Sequence, residues 1–348
     1  MGKIEPQELL QTRDLIYIID QLITLDAEEI DQALFDIQTE LFELVREVCQ
    51  EAYVSNLQNS VFVIQNVLYK IYRLHVSIPE PGQKNAESSF IITGIRNLLE
   101  KYFFANEDKA IPPSIWQQVP NTPKKYVKWL INIIKKHPTH AHHLYEEYLR
   151  KYATKKDLQQ FLIQESTIDN RFDDFLALLQ VGTDGVAKLE IASNYWDEMG
   201  NGDEYKMHTV MFSRTMSNLD IDYSEWENLL TTEALVCGNL SLMLSLHRKN
   251  YYKGIGYFAA TEYMTPRRFK NVISALKRNE VCVSAAEYYK EHISIDAIHA
   301  INWFNNVIIP TIEKHPEAVD DITRGVFYRL NTSQKYLDSL LSKFAVVA

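Results

Sequence analysis

The stretch EHISIDAIHAINWF, residues 291–304, sets His292, Asp296 and His299 at i, i+4 and i+7. On a helix turning about 100° per residue, the three fall within about 60° of one another. Ile293, Ile295, Ile298, Ile301, Trp303 and Phe304 surround them, so the stretch otherwise reads as a buried helix. Polar side chains on such a face must find partners or carry a heavy desolvation cost. A metal ion meets that need for all three at once, and His with Asp suits iron, manganese or zinc. The competing reading is a plain core in which these groups bond neighbouring helices.

Other residues join the set. Glu262 is the lone charge in GYFAATEYMTP, among Tyr257, Phe258, Ala259, Ala260, Tyr263 and Met264. A solitary buried Glu needs a cation or a raised pKa. In NYWDEMGNGDEYKMHTVMF, Glu198 closes one helix, a Gly-containing turn follows, and His208 opens the next. Glu165 lies on the stripe Phe161, Ile168, Phe172, Phe175, Leu179, with Asp169 one turn on. Three or four carboxylates with three histidines carry too much charge for one zinc. They suit two divalent ions held in a helix bundle. The paired Glu-x-x-His motifs of ferritin-like sites do not occur at two places, so that pattern does not fit.

The elements that must position these residues are helical. The 348-residue chain is 46% hydrophobic and 24% charged, as in soluble globular proteins, with only 11 Gly and 11 Pro. That scarcity favours long regular elements, and apolar steps of three and four make them helices, so an all-α fold is expected. Helices are expected at 7–25, from Asp26 as N-cap through Val48, at 57–74 and at 89–104. The linker SIPEPGQKNAES and the Pro-rich loop over 106–123 interrupt them. Further helices are expected at 124–136, 140–152, 155–180, 184–199, 205–218, 223–230, 231–264, 266–278, 282–307, 308–315 and 331–344. This divides the chain into an N-terminal helical region, 1–123, and a bundle, 124–348.

The ordered set E-x9-H, a lone Glu some fifty residues on, then H-x3-D-x2-H about thirty later runs through EIASNYWDEMGNGDEYKMHTVMF, HRKNYYKGIGYFAATEYMTPRRF and YYKEHISIDAIHA. It resembles the iron-containing redox enzymes of the haem-oxygenase-like superfamily, non-haem di-iron oxidases and oxygenases, over roughly residues 138–320. The resemblance implies a haem-oxygenase-like helical bundle enclosing the metals, with residues 1–123 an added region. It implies Glu198, His208, Glu262, His292, Asp296 and His299 as metal ligands, and a further carboxylate from the first core helix. Either Glu165 or Asp169 fills that place. It also implies two Fe(II) as cofactor, with Mn the alternative and no haem, and O2-dependent oxidation of a small amine, amino acid or fatty acid.

The remaining signals bound the reading. A net charge of −10 and a pI near 5.5 disfavour nucleic acid and anionic membrane as partners. Small-molecule substrate and O2 are the expected partners, with a homodimer through the added region a further option. Cys49, Cys237 and Cys282 are far apart and form no C-x-x-C pair, which suggests reduced thiols. With no signal-peptide core and no long apolar run, a cytoplasmic protein is expected. His137, His140, His142 and His143 have loop-like spacing; His142 or His143 would be the proximal residue if haem were bound, but the polar core leaves no room for a porphyrin. Arg248, Tyr251 and Tyr252 are expected to share the Glu262 helix and could face a substrate carboxylate; surface Arg and core Tyr is the plainer reading. A metal-free helical enzyme, or a partner-binding protein with a vestigial site, are the alternative functions.

Overall fold

The computed structural model describes residues 6–222 and 226–347, and all their side chains except those of 294 and 345–347. Helix makes up 82% of the described residues, and no strand occurs among them. The chain forms two compact units that divide between Ala110 and Ile111, earlier than the Pro-rich loop's end at 123.

The first unit holds α1 (Pro6–Gln11), α2 (Leu15–Leu22), α3 (Ala27–Leu34), α4 (Gln38–Tyr53), α5 (Gln58–Val76) and α6 (Phe90–Lys109). The expected single helix over 7–25 breaks at Arg13, whose φ of 52 is left-handed. Glu29 reaches back to the amide of Asp26, so the expected N-cap is in place. Leu41 and Val45 of α4, Ile64 and Leu68 of α5, and Ile95 and Leu99 of α6 are fully buried. The acidic Glu100 survives in that core because the Tyr72 hydroxyl donates to it at 2.9 Å.

The second unit holds α7 (Pro123–Lys136), α8 (Lys155–Asp169), α9 (Phe172–Leu179), α10 (Gly185–Glu198), α11 (His208–Asn218), α12 (Thr232–Leu246), α13 (Tyr251–Arg278), α14 (Glu287–Asn302), α15 (Ile309–Lys314) and α16 (Val319–Val347). Short 3-10 or π turns connect several of them. Of the helix expected at 223–230, residues 223–225 lie outside the described residues, and Trp226–Leu229 is a 3-10 turn. The run expected over 155–180 breaks at Asn170 and Arg171.

The 28-residue helix α13 is the axis of this unit and packs along α14 and α16. It begins at Tyr251 and passes through Pro266, where a boundary between two helices was expected. Pro266 has no amide to bond to the Glu262 carbonyl, a loss that packing outweighs here. Thr265 instead bonds its hydroxyl to the Thr261 carbonyl at 2.9 Å. The true break comes earlier, in a 3-10 turn at Arg248–Asn250.

α13 and α16 meet backbone to backbone. A methyl group on Gly256 would run into the carbonyl of Ile322, and one on Gly325 into that of Lys253. The first dozen residues of α16, missing from the expected 331–344 helix, are the part that makes this contact.

Candidate metal centre

Four helices and one turn bring the acidic and histidine residues together. Glu198 ends α10, and Gly200, in the turn that follows, has φ +61. A Cβ there would meet the backbone of Lys206 and Met207 at 2.5–2.8 Å, so only glycine lets the turn fold this tightly. The turn returns the chain so that His208, first residue of α11, places Nδ1 2.8 Å from Glu198 Oε2.

His292, from α14, faces the same carboxylate: its Nε2 is 3.7 Å from Glu198 Oε1, and its Nδ1 donates to the Tyr288 carbonyl at 2.7 Å. The rings of His208 and His292 are 4.1 Å apart, centre to centre. One ligand atom each from Glu198, His208 and His292 lies within 4.8 Å of the others, and all three residues are buried.

A second trio has the same property: Glu262, Asp296 and His299, also buried, with ligand atoms within 4.8 Å. His299 Nδ1 is 3.8 Å from Glu262 Oε2 and 3.9 Å from Asp296 Oδ1. Its other nitrogen, Nε2, donates to Asp197 Oδ2 at 2.8 Å. An imidazole anchored through one nitrogen offers the other in a fixed direction, the arrangement that metal-bound histidines use. The second-layer residues Asp197 and Tyr288 carried no periodic signal in the sequence; Asp197 was masked by its ligand-like neighbour Glu198.

All six expected ligands on α10, α11, α13 and α14 therefore converge. The picture of α14 needs one correction. Its buried side carries His292, Asp296 and His299, but Ile298 and Ile301 are 60% and 63% exposed, so this helix is not apolar-buried all round.

Glu165 and Asp169, one turn apart on α8, line a cavity of about 50 Å³ with Glu198, Glu262, His292 and Asp296. They differ in their partners. Glu165 accepts from the Tyr336 hydroxyl at 2.6 Å and from Tyr145 at 3.5 Å. Asp169 is held by Tyr288, and its Oδ2 has no protein partner.

The electrostatics are those of a site short of cations. Burial, then the neighbouring Glu198, pushes Glu262 well above the usual carboxylate range. Asp296 is pushed up by burial and by Glu262, and Asp169 by burial and by Glu165. Burial would raise Glu198 too, but His208 and His292 hold it well below that range. Burial would lower His208, but the charge and hydrogen bond of Glu198, with the charges of Glu291 and Asp197, together raise it. Burial and the adjacent His208 lower His292. Divalent ions would let these carboxylates all ionise and leave the imidazoles neutral. The orphaned Asp169 oxygen and the mixed N/O donors fit such ions.

A family model described as iron-containing redox enzyme matches residues 159–334, the stretch that contains every residue of both trios. The chain belongs to the iron-containing redox enzyme family. Its all-α architecture is the haem-oxygenase-like helical fold, and it is an iron-dependent oxidoreductase. No curated protein matches the chain.

Two expected features lie elsewhere. Arg248 donates to the carbonyls of Val181 at 2.7 Å and Leu179 at 3.2 Å, and to that of Ser245. With Tyr251 and Tyr252 it lines a separate cleft, with Gly182, Asp184 and His315, not the cavity holding Glu262. It therefore closes the end of α9, sits in the 3-10 turn before α13 and not on the Glu262 helix, and does not line the metal cavity. His142 is engaged at both nitrogens, by Asp338 Oδ1 at 3.0 Å and by the Leu144 amide at 3.1 Å, and His143 is exposed. Among the described residues, no helix is long and apolar enough to cross a membrane. The three cysteines are unpaired.

Proposed function

We propose that this iron-containing redox enzyme is a di-iron, O2-dependent oxidase or oxygenase acting on a small organic substrate. The single observation that carries the reading is the pair of buried trios, each offering imidazole and carboxylate, with Glu198 and His292 of one and Glu262 and Asp296 of the other lining one cavity. Glu198, His208 and His292 would hold one ion, and Glu262, Asp296 and His299 the other. Asp169 is the better candidate for the seventh ligand. Its free oxygen is available to a cation and it interacts with Glu198 and Asp296, one from each trio, whereas Glu165 is already engaged by two tyrosines.

Two ferrous ions, when bound, supply the electrons and open positions that dioxygen chemistry needs. The chain's own residues prepare that site. Four carboxylates balance the four positive charges of two such ions. Asp197 and the Tyr288 carbonyl fix the ring planes of His299 and His292. Phe172, Ile168 and Phe269 form apolar cavity wall, which limits water near the reacting atoms.

Anaerobic loading with Fe(II), metal analysis and exposure to O2 test this together. About two irons per chain and a transient visible absorption on adding O2 are expected. A chain that takes up no iron would leave the metal-free or partner-binding alternatives.

A further inference from the structure

The same cavity is lined by two arginines with no counterpart in the ligand set. Arg268 of α13 and Arg329 of α16 both line the cavity and are only 7% and 8% exposed. Among the described residues neither is ion-paired. Arg268 Nη2 donates to the Thr139 carbonyl at 3.1 Å and to Met264 Sδ at 3.4 Å; Arg329 Nη1 donates to the Tyr257 hydroxyl at 3.4 Å. The guanidinium carbons rest over aromatic rings, 5.3 Å from the centre of Tyr145 and 5.4 Å from that of Tyr257. In each, Nε has no protein partner, and neither does Ser333 Oγ, one turn beyond Arg329 and on the same cavity.

A buried guanidinium stays charged and demands an anion. Glu165 is the carboxylate that both arginines feel, and one carboxylate cannot neutralise two cations. The whole cavity gives the same answer. Its lining holds five carboxylates: Glu165, Asp169, Glu198, Glu262 and Asp296. Against two guanidinia and two divalent ions, these leave one positive charge over.

We propose that Arg268 and Arg329, with Ser333, form an anion-binding subsite that seats the carboxylate of a small monocarboxylate substrate. The arginine fork matches a carboxylate's two oxygens, and the single residual charge suits a monoanion better than a phosphate. Arg268 lies six residues from Glu262 along α13, about 9 Å of helix rise. The anchored acid would extend over that span toward the two trios. That placement and the count of one residual charge rest on the metal-centre reading; the two buried guanidinia without a carboxylate partner do not.

The test uses the full chain, metal-free and separately Fe(II)-loaded, titrated calorimetrically with straight-chain carboxylates from acetate to octanoate. Hexan-1-ol, hexylamine and inorganic phosphate serve as controls. At least one carboxylate is expected to bind the metal-free protein, about tenfold or more tighter than every control. Arg329→Gln and Arg268→Gln are expected to weaken it about tenfold or more with iron content unchanged, and Arg329→Lys to weaken it less. Should a glutamine variant not fold, the wild-type ligand series and Arg329→Lys decide. Equal binding of acid and alcohol, tighter binding of phosphate, or no binding by any acid overturns the subsite. Acid binding that needs iron and survives Arg329→Gln also overturns it, while leaving the metal centre standing. Acid binding by a chain that takes up no iron supports the subsite and removes the metal centre.

Discussion

The Asp197 carboxylate accepts a 2.8 Å hydrogen bond from His299 Nε2, while the adjacent residue, Glu198, contacts His208 in the other trio. Neighbouring positions at one helix end thus serve both halves of the centre, one as a ligand and one as a brace. Asp197→Asn keeps the shape but removes the charge that sets the imidazole's tautomer. It is expected to weaken metal binding at the Glu262–Asp296–His299 trio about 10- to 100-fold, with little effect on the other trio. Stepwise metal titration followed by calorimetry reads the two sites separately.

The two trios share no ligand residue. His292→Ala and Asp296→Asn are each therefore expected to reduce bound iron from about two to about one per chain, and the double variant to abolish it. Elemental analysis of the purified, loaded variants decides this. Loss of both ions from either single change would mean that the trios form one inseparable unit.

Gly200 has a positive φ, and a Cβ there would strike the Lys206–Met207 backbone. Gly200→Ala is expected to destabilise the protein by about 1–3 kcal/mol and to pull His208 away from Glu198. Thermal melting and metal content should fall together. Gly185 also has a positive φ but nothing near its Cβ position. Gly185→Ala is expected to lower the melting temperature less and to leave metal content unchanged.

Raised carboxyls make the metal-free protein sensitive to base. Asp169, Glu262 and Asp296 all lie well above the usual range, through burial first and then carboxylate neighbours. The folded chain then holds more protons than the unfolded chain above the ordinary carboxylate pKa of about 4, so stability falls as pH rises through the raised values. His208, raised by Glu198, adds a loss of the same sign above its ordinary value of about 6.5. His137, His140, His142 and His292, lowered by burial, act in the opposite sense below about 6.5, so the comparison is made above it: the metal-free protein is expected to melt higher at about pH 7 than at about pH 9, and Fe(II) or Zn(II) to reverse that order. Differential scanning calorimetry at both pH values, with and without metal, gives the answer.

Arg248 is bonded to backbone carbonyls in a cleft separate from the metal cavity. Arg248→Ala is expected to cost some stability by freeing the end of α9, and to leave iron content and carboxylate binding at wild-type levels. Altered carboxylate affinity in this variant would return it to the substrate site.

The ligands could be read in the sequence because His, Asp and Glu on apolar helix faces are costly without partners. His292, Asp296 and His299 announce themselves by spacing, and Glu262 by isolation. The arginines gave no such signal. Arg268 follows Arg267, which is exposed, and a basic pair reads as solvated surface. Arg329 sits in a segment that contains Gly325, and glycine reads as a helix break. Here glycine serves close packing of α16 on α13, a tertiary fact with no local trace. Pro266 misled in the opposite sense: local chemistry marks a boundary there, but contacts along both flanks of α13 carry the helix through.

The contact of Gly256 with Ile322 and of Gly325 with Lys253 bears on substrate choice. Helices that touch through main chain, with no side chains between them to change rotamer, have little room to slide or part. Arg268 and Arg329 ride on those two helices, so the gap from the arginines to the acidic floor behaves as a fixed calliper. Acids one or two methylenes too long or too short would then be discriminated by reach, not by loose fit.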